Sequence, residues 1–191
     1  MPKSRLPSLA LVALTLLGIL ALPSCGGGAH YVVEGGGGPV YLLTNLHPDA
    51  RRTIYSVNYT APPGGQVLPM CTPVRIDRVA PREIRFTDLQ SNRRYRYIVH
   101  RSSRVPVEQH VQRYFGSACA DISAMTPEDQ SGVQQGQIYQ GMTKQGVILA
   151  VGFPPEHRTP SLDGDVWRFW RNKVNSFEVY FTNGVVTGIR N

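Results

Sequence analysis

The run from Leu9 to Leu22 restricts this chain more than any other feature, because it takes the first residues out of any folded core. It holds only leucine, alanine, valine, isoleucine and glycine apart from Thr15, and Lys3 and Arg5 precede it. Fourteen apolar residues reach about 21 Å as a helix, short of the roughly 30 Å hydrocarbon layer of a membrane. A basic start, a short apolar stretch and small residues after it read as a secretory leader over residues 1–24, removed before folding.

The leader ends in Leu22-Pro23-Ser24-Cys25, followed by Gly26, Gly27 and Gly28. That order resembles a lipobox, with a leucine three positions before the cysteine, a small residue beside it and the thiol as acyl acceptor. It predicts lipidation at Cys25 and an acyl anchor in a membrane. The other reading is an ordinary secretory signal with a spare thiol. Residues 25–39 continue as a linker rich in glycine, which a tethered head needs to stand off a bilayer. The non-acidic Gly26, by resemblance to lipoprotein sorting in enteric bacteria, points to the inner leaflet of the outer membrane, facing the periplasm. With Cys25 acylated, Cys71 and Cys119 remain to form a disulfide in an oxidising compartment; the alternative is two small buried hydrophobes.

Without Lys3 and Arg5, 18 basic residues face 13 acidic ones. The excess gathers at Arg93, Arg94, Arg96, Arg101 and Arg104, where an extended strand would put several guanidinium groups on one face. Such a face is either simply solvated or meets an anionic partner, lipid headgroups or peptidoglycan among them. Export disfavours nucleic acid.

Residues 25–191 suffice for one domain or two small ones. From Val40, short runs of strand character recur at Val40 to Thr44, Thr53 to Tyr59, Val67 to Met70, Val74 to Val79, Glu83 to Thr87 and Tyr95 to His100, separated by turn residues. Close spacing of short strands predicts a small barrel or sandwich. The stretches Gln66 to Asp77 and Arg82 to Thr87 resemble bacterial SH3-like modules. Val107, Val111, Tyr114 and Phe115 then follow a helical period, and His110 falls off that apolar face. A capping helix therefore closes a β module over residues 40–116, and residues 117–125 form a linker.

The second module spans residues 126–191. Thr126-Pro127-Glu128-Asp129 opens a helix with an N-cap, a proline at the first position and acids in the first turn. Thr143 caps a second helix, which Gly152 and Pro154-Pro155 end. Strands follow at Val166 to Arg171, Val174 to Thr182 and Val185 to Arg190, the last two joined by the hairpin signal Asn183-Gly184. Gly141-Met142-Thr143, Gly152-x-Pro154, Trp167-x-Phe169 and the Phe181 to Val186 hairpin resemble, in order and spacing, the SmpA/OmlA (BamE-like) lipoproteins of the outer-membrane barrel-assembly machine. The resemblance covers about the last 65 residues. It implies an α+β fold, two helices on a three-stranded antiparallel sheet, and a role in envelope assembly. Trp167 and Phe169 are expected in the core. A whole β module preceding this one departs from the family pattern.

No chemistry motif stands out. His30, His47, His100, His110 and His157 show no metal-ligand spacing, and Asp163-Gly164-Asp165 is too short for a calcium loop. A nucleophilic pair of Cys119 and His110 lacks an orienting group. The sequence therefore predicts no enzyme, cofactor or metal. The best recognition candidate is the stiff, chemically mixed loop carrying Phe153, Pro154, Pro155, His157 and Arg158, extended by Trp170. The expected function is an adaptor or stabiliser in outer-membrane assembly or envelope integrity; the alternative is cell-wall binding through the β module.

Overall fold

The computed structural model describes residues 39–57 and 59–191; the expected leader, the expected lipidation site at Cys25 and all but the last residue of the expected linker lie outside the described residues. The described residues form an α+β structure with two sheets and two buried apolar clusters.

The first sheet has six strands: β1 (Val40–Leu42), β2 (Thr53–Tyr55), β3 (Pro73–Ala80), β4 (Glu83–Asp88), β5 (Arg94–Ile98) and β6 (Phe115–Gly116). Their order is β2-β5-β4-β3-β1-β6, so among the described residues β2 and β6 are edges and the sheet stays open instead of closing as a barrel. Among the described strand pairs of this sheet, only β2 with β5 runs parallel. The run from Val67 to Met70 forms no strand: Leu68 alone exchanges backbone bonds with Leu46, and Pro69 has no N–H to continue a ladder.

Helix α1 (Val107–Tyr114) turns Val107, Val111 and Tyr114 onto Leu42, Phe86 and Tyr97. It ends one residue before the expected stop at Gly116, because Phe115 turns extended and pairs with Leu42.

The second cluster is built by α2 (Pro127–Gln135), α3 (Lys144–Val151) and the antiparallel meander β7 (Val166–Trp170), β8 (Ser176–Thr182) and β9 (Val185–Arg190). The caps are the ones the sequence predicts: Thr126 Oγ1 accepts from Asp129 N at 3.2 Å and Thr143 Oγ1 from Gly146 N at 3.0 Å. Asn183 and Gly184 both take positive φ, 51° and 78°, as a type I′ turn requires. Gly152 ends α3 with φ 84° and ψ −177°, which is not the left-handed conformation of the usual glycine cap; it is an extended positive-φ state open essentially to glycine alone. Trp167 and Phe169 are fully buried with Phe177, Val179 and Phe181.

The clusters meet. Phe153 packs against both, and Asn45 N donates to Leu149 O. Cys71, before β3, is joined to Cys119, after β6, as a disulfide with Cα atoms 5.0 Å apart.

Candidate functional site

The loop after α3 was the expected recognition surface, and the structure divides it. Pro154 and Pro155 are buried, so they present no face to a partner. Phe153 is half-buried in the joint, with its N–H donating to Tyr114 Oη at 3.3 Å and the Arg113 guanidinium 5.1 Å from its ring centroid. Glu156 pairs with Arg113. His157 and Trp170 are likewise half-buried, stacked with centroids 5.5 Å apart, and Arg158 alone of the expected residues is exposed. Burial and the neighbouring Arg158 and His100 push the His157 pKa down, so the stacked ring is uncharged at neutral pH.

His110 does not point away from the core. It is 2% exposed, its Nδ1 lies 3.0 Å from Tyr97 Oη and its Nε2 3.0 Å from Ser103 Oγ. Those two hydroxyls satisfy both ring nitrogens, which allows a polar ring on an otherwise apolar helix face. Cys119, held in the disulfide, offers no thiol to pair with it.

Positive charge is placed by strand register. Arg78 on β3 stands opposite Arg85 on β4, which stands opposite Arg96 on β5. Neighbouring strands lie about 4.8 Å apart, so the row crosses the sheet over about 10 Å. Arg94, Arg52 and Arg51 complete a groove of about 760 Å³, whose lining also includes Tyr95 and, as its one acid, Asp77. Glu83 accepts from Arg96 at 2.7 Å and from Arg85 at 2.9 Å; burial raises its pKa, but these two hydrogen bonds hold the carboxyl below the usual range. Arg78 and Arg94 have no ion pair among the described residues.

Arg51 and Arg96 also line a larger cleft of about 1050 Å³ between the first module and the β7–β8 turn. Its walls carry Tyr55 and Tyr59, ring centroids 5.3 Å apart and tilted by 49°, facing Arg171 and Lys173. Burial and nearby Tyr55 push the Tyr59 hydroxyl up, so it stays a donor at neutral pH. His47 forms the floor, with Nδ1 accepting from Ala61 N at 2.9 Å, which puts the proton on Nε2 for Ala150 O at 3.2 Å. The Asp49 carboxylate is already used, accepting from Arg51 N and Thr53 N at 2.8 Å each.

Of the arginines that proximity in sequence grouped, Arg94 and Arg96 line this groove, whereas Arg93, Arg101 and Arg104 do not. Arg78, Arg85, Tyr55, Tyr59, Arg171 and Lys173 were missed; alternation of arginine along β3 to β5 was the signal, legible only once the register is known. Among the described residues, no group of three or more His, Cys, Asp or Glu side chains could hold a metal ion, and no helix is long and apolar enough to cross a membrane. No family model matches the sequence, and comparisons with curated proteins and with solved structures give no match.

Proposed function

We propose that this chain is a non-enzymatic envelope lipoprotein, acylated at Cys25, seated on the periplasmic face of the outer membrane, and serving as an adaptor or stabiliser in outer-membrane protein assembly. The packing of α2 and α3 on the β7-β8-β9 meander carries the reading. There Gly141-Met142-Thr143 opens α3, Gly152 and Pro154 follow its end, and Trp167 and Phe169 lie buried beneath, in the order the SmpA/OmlA resemblance implies. The open six-stranded sheet with α1 over its core takes the place of the SH3-like module over residues 40–116, and residues 126–191 form the assembly module.

Such an adaptor needs an exposed face for a membrane-embedded partner. His157, Arg158 and Trp170 form the patch that meets that partner. Crosslinking the native protein in cells, followed by affinity recovery, tests the role. Barrel-assembly components are expected in the recovered material, with a Cys25→Ser variant absent from the outer-membrane fraction. Recovery of none of those components removes the assembly role.

A further inference from the structure

We propose that the arginine groove and the tyrosine cleft are one continuous binding site for an acidic polysaccharide. The proposal goes beyond the assembly role and does not depend on the tether or on the module over residues 126–191 having that role.

Continuity comes first: Arg51 and Arg96 line both cavities, so a ligand lying across Arg78, Arg85 and Arg96 runs into the cleft without leaving positive surface. Placement of the charges is the second point. Like charges directly opposite one another on neighbouring strands destabilise a sheet, and here three guanidinium groups are opposed in one row with Glu83 as the shared counter-charge of two of them. A polyanion laid across the row would offset that repulsion. A third point is the change of chemistry along the path, from arginines on a sheet face to two half-buried tyrosine rings. Sugar rings present apolar C–H faces edged by hydroxyls, and a chain of charged sugars matches both halves of the path.

Other polyanions fit less well. A headgroup plane is flat and does not enter a cleft walled by Tyr55, Tyr59 and the Arg171 to Lys173 turn. An acidic peptide would gain most by pairing along the β2 edge, but Asp49 already accepts from Thr53 N and donates its own N–H to Thr53 O. Single-stranded nucleic acid shares the charge and stacking logic, but the Cys71–Cys119 disulfide belongs to an oxidising compartment, outside the cytosol where nucleic acid abounds.

The test is calorimetric titration of the purified native protein, in mild detergent and with its disulfide intact. The probe is a mannuronate oligosaccharide, compared with dextran of equal length, poly-glutamate, short-chain phosphatidylglycerol and oligothymidylate. Mannuronate is expected to bind most tightly, and dextran not at all. The paired Arg78→Glu and Arg94→Glu changes, both on exposed side chains, are expected to weaken mannuronate about tenfold. Tyr55→Ala with Tyr59→Ala should have a similar effect, about tenfold. Arg101→Glu with Arg104→Glu, outside both cavities, should leave affinity unchanged. No mannuronate binding, equal affinity in the Arg78/Arg94 variant, or tighter binding of poly-glutamate, phosphatidylglycerol or oligothymidylate overturns the proposal. Because the arginine pair is exposed, that variant remains decisive even if the tyrosine variant misfolds.

Discussion

His110 is a titratable ring held where water cannot hydrate its charge. Burial pushes its pKa from the ordinary 6.5 down to about 4, with Glu156 opposing and Arg113 reinforcing the shift. Between those two values the unfolded chain takes up a proton that the folded chain refuses. This group's contribution to stability is therefore complete above pH 6.5, shrinks as pH falls through the window, and is gone below about pH 4. The full difference is about 3 kcal/mol. Burial shifts His47, His100 and His157 in the same direction, so their contributions fade on the same side of neutrality. Urea unfolding between pH 4 and 8 should show stability rising with pH, with a shallower rise in His110→Gln; an unchanged slope in that variant would place the pH dependence elsewhere. Gly146 is a second residue whose identity is forced. A Cβ there would lie 1.8 Å from Asp129 Oδ1, on a carboxylate 1% exposed that accepts from Thr143 N at 2.8 Å and from Thr143 Oγ1 at 3.0 Å. Gly146→Ala must push α2 away from α3 or break that buried cluster, and thermal unfolding is expected to show a loss of about 3 kcal/mol or more.

Elements that carry their own instructions were legible. Thr126-Pro127, Thr143 and Asn183-Gly184 are local signals, and α2, α3 and the β8–β9 hairpin stand where those residues put them. Elements defined by a distant partner were not. Nothing near Thr53 announces a parallel partner 43 residues later at Arg96, and the two residues of β6 become a strand only because β1 lies beside them. His110 stands three residues after Val107, yet its place in the core depends on hydroxyls from β5 and from the loop before α1. The candidate site shares that limit, since Arg78, Arg85 and Arg96 form a row only through register. The disulfide is the covalent constraint on this sheet, tying the turn before β3 to the segment after β6 over 48 residues. A loop of that length restricts the unfolded chain by about 4 kcal/mol in the chain-entropy model. Replacing Cys71 and Cys119 together by alanine should lower the unfolding free energy by about that amount while circular dichroism keeps its native form; a change below about 1 kcal/mol would mean that α1 and β6 already hold the two ends together.

At the scale of the whole molecule the question is whether two apolar clusters behave as one cooperative unit. Asn45, in the segment after β1, answers from the first cluster into the second. Its Nδ2 donates to Val133 O at 2.6 Å and to Ala150 O at 3.2 Å, and its Oδ1 accepts from Met70 N at 2.8 Å. The side chain is 2% exposed, so each of these bonds replaces one that water can no longer make. His47 adds a second bond to Ala150 O, Thr60 N reaches Trp170 O at 2.8 Å, and Phe153 packs on both sides. Polar links of this kind are costly to leave half-made, which couples the ordering of one cluster to that of the other. Calorimetry of the native chain should therefore show a single transition with matching calorimetric and van't Hoff enthalpies. Asn45→Ala leaves Met70 N without a partner and takes from Val133 O the shorter of its two hydrogen bonds, the other coming from Gly136 N at 3.3 Å, and is expected to cost about 3 kcal/mol. Because the loss falls on the joint and on neither apolar cluster, the same change should also separate the melting of the two clusters, read as a calorimetric enthalpy that exceeds the van't Hoff value; two transitions already present in the native chain would show instead that each cluster is stable alone and that Asn45 aligns the modules without making them fold together.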